Sequence, residues 1–116
     1  MLQDFVLIQR KAIDDDFVRK EASSSWFQFK TCLRNMILGP KDEIAFWNLS
    51  ETDEIIEGEK SYQYFLEVIS GLHSSLIGET EILGQFKNAA LKFEFPNSHF
   101  GFELRKFFQA MLEDVK

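Results

Sequence analysis

A single thiol, Cys32, stands between two cations, Lys30 and Arg34, each two positions away. The thiolate is the nucleophilic form of cysteine, and nearby positive charge lowers the thiol's pKa toward neutrality. In an extended stretch alternate side chains share a side, so both cations are expected to face the same way as Cys32. Residue type alone favours a plainer role, a cysteine packed as a small apolar group. Arg34 carries the fork of donors that grips a carboxylate through two parallel hydrogen bonds. A lone arginine is more often a solvated surface residue. Gly78-Glu79-Thr80-Glu81 reads as the acidic first turn of a helix, where carboxylates complement the dipole. The histidines, His73 and His99, are each more often structural than catalytic, and His99 lies near a helix cap. No metal-ligand set is assigned.

The elements that must position these groups belong to a chain of 116 residues, 45% apolar and 28% charged. That length suits one domain, residues 1–116, with one core. Phenylalanine supplies 13 residues, so large rings are expected to build that core. A net charge of −6 is wrong for a free-standing nucleic-acid module, whose affinity comes mostly from phosphate contacts. Any RNA must be held by a partner domain or by one specific contact. One cysteine excludes an internal disulfide and suits a reducing compartment. Neither a signal peptide nor a membrane-length apolar run is visible, so a soluble, cytoplasmic protein is expected.

Hydrophobic spacing predicts short strands first and helices after, an α+β arrangement. Strands are expected at Phe5 to Gln9, at Trp26 to Lys30 ending at Thr31-Cys32, at Asn35 to Leu38 as the hairpin partner, and at Ile55 to Glu57, with Gly58 ending the last. Asp14 to Asp16 suggest a helix start and Phe17 to Ala22 a short helix, broken by Ser23 to Ser25. Gly39-Pro40 reads as a turn and Lys41 to Leu49 as a helix. Tyr62, Phe65, Leu66, Ile69 and Leu72 form one helical stripe, ended near Gly71 and Ser74-Ser75. Ile82, Leu83, Phe86, Ala89, Ala90 and Phe93 form a second, closed by Pro96. Asn97 or Ser98 caps a third, carrying Leu104, Phe107, Phe108, Met111, Leu112 and Val115. With no stop signal after it, this last helix is expected to belong to a longer one.

The run from Val68 to Lys87, Val-Ile-Ser-Gly-Leu-His-Ser-Ser-Leu-Ile-Gly-Glu-Thr-Glu-Ile-Leu-Gly-Gln-Phe-Lys, resembles the signature of glutamyl-tRNA reductases, close to V-A-S-G-L-D-S-x-x-x-G-E-x-Q-I-L-G-Q-V-K. Thr31-Cys32-Leu33-Arg34 resembles the T-C-N-R catalytic loop of that family. Leu104 to Ala110 resembles its L-x-x-L-F-Q-x-A helix, and Ile8 to Ala12 keeps a trace of its G-x-N-H-K-T motif. The resemblance covers nearly the whole chain, with its specific part in the central third. It implies a fold with a ferredoxin-like N-terminal part followed by two or three amphipathic helices.

By that resemblance Cys32 is the catalytic nucleophile, forming a thioester with the glutamyl group of glutamyl-tRNA. NADPH-dependent reduction to glutamate-1-semialdehyde, in tetrapyrrole (porphyrin) biosynthesis, follows in the full enzyme. Thr31, Leu33, Arg34, Ser74, Glu79, Thr80, Glu81 and Gln85 match substrate-binding positions, with Arg34 on the glutamate carboxylate. The family's nicotinamide-binding and dimerisation domains are expected to be absent from this chain, since no G-x-G-x-x-G occurs. NADPH is thus expected in the full enzyme and not on this domain, and a homodimer only with the C-terminal domain present. A downstream glutamate-semialdehyde-processing enzyme is a further implied partner. Three positions depart from the pattern: Leu33 replaces an asparagine, Glu81 a glutamine, and Tyr64 aligns with a functional histidine. A tyrosine is no base near neutral pH unless strongly perturbed. The alternatives are a non-catalytic binding or regulatory module derived from the same domain, and a thioester hydrolase.

Overall fold

The computed structural model describes residues 2–11, 17–19, 26–31, 34–71 and 82–115. Its centre is a four-stranded antiparallel sheet in the order β3-β4-β1-β6, made of Phe27–Lys30 (β3), Arg34–Pro40 (β4), Phe5–Lys11 (β1) and Glu54–Glu57 (β6). Taken in chain order these strands lie 2-3-1-4, the antiparallel order of a ferredoxin-like sheet. A separate two-stranded pair joins Val18–Arg19 (β2) to Trp47–Asn48 (β5). Three α-helices follow: Glu59–Ile69 (α1), Ile82–Lys92 (α2) and His99–Asp114 (α3).

The sheet is covered on both faces, which explains why Phe5 to Gln9 of β1 are buried without alternation. Phe5, Leu7, Phe27, Phe29, Met36 and Leu38 face the helices and meet Phe65, Phe86, Leu104, Phe107 and Phe108. Phe27 is the hub of that core, with its ring 4.7 Å from Phe108, 5.2 Å from Phe93 and 6.1 Å from Phe86. Burying one such ring contributes up to about 3 kcal/mol. Val6, Ile8 and Ile37 face the other way, onto Trp26, Trp47 and Phe17.

Three expectations change, and a fourth is followed only in part. Val18 and Arg19 form a strand where a helix was expected; the rest of Asp14 to Ser25 lies outside the described residues. Gly39-Pro40 is no turn: the two residues end β4, paired with Val6 and Phe5. The glycine is there because Trp26 lies on it, and a Cβ would fall inside the indole ring. Lys41 to Leu49 divides into a 3-10 segment, Lys41–Phe46, and β5, because Trp47 turns back into the second core. Leu72 and Ser74-Ser75 lie outside the described residues, so α1 is followed only to Gly71, whose φ of 83° suits a residue without a Cβ.

The expected cap of α3 is Ser98, whose hydroxyl accepts from the Gly101 amide at 3.1 Å. The helix closes at Asp114, with Val115 extended. Among the described residues no helix is long and apolar enough to cross a membrane.

Candidate functional site

The candidate nucleophile lies in the sequence between β3 and β4, which pair antiparallel. Lys30 pairs with Asn35, and one residue further Thr31 and Arg34 close the ladder. The Thr31 amide donates to the Arg34 carbonyl at 2.8 Å. In return the Arg34 amide donates to the Thr31 hydroxyl at 3.2 Å. The side chain of Thr31, itself 7% exposed, thus supplies the acceptor that closes the loop. Between these two clasping residues stand Cys32 and Leu33, which lie outside the described residues.

The register decides what else is near. Arg34 is opposite Lys11, and Asn35 opposite Arg10. Directly opposed residues share a face, so Arg34, Lys11 and Gln9 belong to the helix-covered face. Lys30 shares the other face with Asn35, so it and Arg34 point apart. The expectation that both cations flank one side assumed a continuous strand, and the hairpin reverses the chain between them.

Tyr64 brings α1 to this end of the sheet. The helix begins at the far end, where the Gly58 amide donates to the Phe5 carbonyl at 2.9 Å. It then runs back along β1 until the Tyr64 hydroxyl donates to Gln9 Oε1 at 2.9 Å. Past Tyr64 the helix runs on toward the end of the sheet that carries the clasp, as far as Ile69. α2 starts there too: Phe86, in its first half, packs 5.9 Å from Phe29, and Phe93, just past its end, packs on Phe27. The described residues on both sides of 72–81 thus converge on the hairpin end. Of the signature, Ser74, Glu79, Thr80 and Glu81 lie outside the described residues, as does His73. Gln85 is exposed on α2, one turn from its start.

A second layer of polar contacts was not foreseen. Gln9, 8% exposed, donates from Nε2 to Glu54 Oε1 at 2.9 Å, completing a chain Tyr64–Gln9–Glu54. On the opposite face Arg10 grips Asp53 with two bonds, Nε to Oδ1 at 2.9 Å and Nη2 to Oδ2 at 2.6 Å. The two side chains are 9% and 1% exposed, and the guanidinium lies 3.9 Å over the Phe17 ring. Asp53 Oδ2 also accepts from the Ser50 amide, which ties the turn before β6 to β1. Gln9 and Glu54 are 45 residues apart, and Arg10 and Asp53 43, so only strand register reveals either pair. Among the described residues no group of three or more His, Cys, Asp or Glu side chains is placed to hold a metal ion.

Three comparisons bear on this arrangement. Residues 9–115 match the family model described as Glutamyl-tRNAGlu reductase, N-terminal domain. A glutamyl-tRNA reductase of Clostridium acetobutylicum is 28% identical over 95% of the chain, and one of Staphylococcus saprophyticus is 26% identical over 74%. The chain spans 31% and 25% of the length of these relatives. A solved glutamyl-tRNA reductase structure from Methanopyrus kandleri superposes with a TM-score of 0.66 at 17% identity, covering 96% of this chain and 33% of that one. That likeness concerns the fold.

Proposed function

The chain belongs to the family of glutamyl-tRNA reductase N-terminal domains, and from that premise we propose that it accepts the glutamyl group of glutamyl-tRNA on Cys32. The single observation that carries the reading is the clasp of Thr31 and Arg34 around positions 32 and 33, with Arg34 on the face shared by Gln9 and Lys11. In the proposed step the Cys32 thiolate attacks the ester carbonyl carbon. A carbon–sulfur bond forms, the bond to the ribose oxygen breaks, and that oxygen leaves as the tRNA hydroxyl after taking a proton. Arg34 holds the side-chain carboxylate and fixes the carbonyl's distance from the sulfur. Ser74, Glu79, Thr80, Glu81 and Gln85 supply the remaining polar contacts, with Thr31 and Leu33 beside the nucleophile.

The family implies NADPH in the full enzyme, which would reduce the thioester to glutamate-1-semialdehyde for tetrapyrrole synthesis. The described residues do not fit that cofactor. Their sheet is wholly antiparallel, with no parallel strand–helix–strand unit to cradle a pyrophosphate, and the sequence lacks the glycine fingerprint. No reductive step is assigned to this chain. The partner it meets is glutamyl-tRNA. A homodimer and a downstream semialdehyde-processing enzyme belong to the full enzyme, and a lone cysteine suits the cytoplasm.

The test is direct. Incubating the chain with glutamyl-tRNA, quenching in acid and weighing the intact protein should reveal a glutamyl adduct that Cys32→Ser abolishes. A folded protein with a reactive thiol and no adduct favours the second reading, a binding module without covalent chemistry. One contact supports that second reading: Tyr64, which aligns with the family's histidine, points its hydroxyl proton at Gln9 and offers no imidazole nitrogen as a base.

A further inference from the structure

We infer that a cleft at the far end of the sheet binds a linear polyamine, with Glu103 and Asp42 receiving its ammonium groups. The pairing of Phe5 with Pro40 marks that end, six residues along β1 and about 20 Å from the pairing of Lys11 with Arg34. A cavity of about 780 Å³ lies there, between the start of β1, the 3-10 segment after β4 and the first turns of α3. Its size is that of a small-molecule site. Phe5, Phe100 and Pro40 give it apolar walls, with the two rings 4.9 Å apart. Among the described residues four carboxylates border it: Asp4, Asp42, Glu43 and Glu103. Asp4 and Glu43 have bonding partners of their own, Glu43 accepting from Trp26 Nε1 at 3.2 Å, so they add negative charge rather than contacts. Lys41, which also borders the cavity, pairs with Glu57 at 3.2 Å.

Glu103 is the residue that points to a ligand. Its side chain is 10% exposed, and its Oε2 is buried without a hydrogen-bond partner. The cations beside it do not supply one: His99 Nε2 and Lys106 Nζ each stand 3.9 Å from Oε1, beyond hydrogen-bond reach. Nor does Tyr62, in a smaller cavity that Glu103 also borders, since its hydroxyl donates to Asp114. A carboxylate can only accept, and a buried one short of donors is costly. The last torsion of a glutamate is soft, so turning the carboxylate presents either oxygen to a donor in the cavity. The surrounding carboxylates favour a cationic donor. A compact metal ion does not suit the site, because among the described residues no three ligating side chains converge. The amino end of α3 also repels a cation held against it, an effect confined to the first turn. Separated charges on an alkyl chain meet all these conditions. The methylenes lie on Phe5, Phe100 and Pro40, one ammonium reaches Glu103 beyond the first turn of α3, and another reaches Asp42, exposed on the 3-10 segment.

Spermidine is the probe. Calorimetric titration of the chain at about 0.15 M salt, which screens scattered surface charge, should show one saturable site. Glu103→Gln keeps the shape of the side chain and should weaken binding about tenfold or more. Glu51→Gln removes the same charge from the exposed turn before β6 and should change the affinity by less than about twofold. Magnesium at matched ionic strength should leave spermidine in place. Circular dichroism establishes that each variant is folded. Should Glu103→Gln fail to fold, Asp42→Asn, at an exposed position, decides, with an expected loss of about fivefold. Any of four results overturns the inference: no saturable binding, equal losses in Glu51→Gln and the cleft variants, an affinity the cleft variants do not move, or displacement of spermidine by magnesium. The glutamyl reading of the other end of the sheet is untouched by each of them.

Discussion

Arg34 has two separable tasks. Its backbone closes the hairpin with Thr31, and its side chain stands on the face where Gln9 and Lys11 also project. Arg34→Lys keeps the first and removes the planar fork that the second requires. It should weaken binding of the stable amide of glutamate with 3′-amino-3′-deoxyadenosine roughly 10-fold or more, read by calorimetry, while the thermal midpoint stays nearly unchanged. An unchanged affinity would move the carboxylate contact to another residue. Thr31 and Arg34 stand out in the sequence because they flank the cysteine in one short motif, but the clasp between their backbones does not. Gln9 and Glu54 were not legible, because nothing in a linear chain brings together residues 45 apart until a register is known. Lys30 misled for a related reason: alternation places it beside Arg34 only if the strand runs straight through.

Helices α1 and α3 are tied near the far end of the sheet by Tyr62, whose hydroxyl donates to Asp114 Oδ2 at 2.6 Å. Burial, then the hydrogen bond to Asp114 and the charges of Asp114 and Glu113, push the Tyr62 phenol above its ordinary value. A folded-state pKa raised above the unfolded one contributes stability that is complete below about pH 10 and is lost as pH rises beyond it. Denaturant midpoints at about pH 8 and about pH 11 should therefore fall further for the wild type than for Tyr62→Phe. Equal falls would mean the contact carries no such linkage. The helices themselves were the most legible elements, because the stripes from Tyr62 and from Ile82 repeat over several turns. The stretch from Gly39 to Leu49 was the least. Its glycine answers to Trp26 from another strand, and its row of Ile44, Ala45, Phe46 and Trp47 is divided between a 3-10 segment and a strand by a core on the second face of the sheet.

The whole molecule carries a net charge of −6, against which any RNA must bind. Fluorescence anisotropy with uncharged tRNA should give a dissociation constant weaker than about 10⁻⁴ M near physiological salt, with a shallow salt dependence. Tight, steeply salt-dependent binding would reveal a basic surface that the composition conceals. Gln9 and Arg34 ride on β1 and β4, the two central strands. Those strands are sealed beneath aromatic side chains on both sides. Residues at the hairpin end can change without disturbing the bed on which Gln9 and Arg34 are set. Two cores back to back thus make the sheet a foundation whose surface groups can be exchanged singly, so the fold can persist while what is built on that end of it drifts.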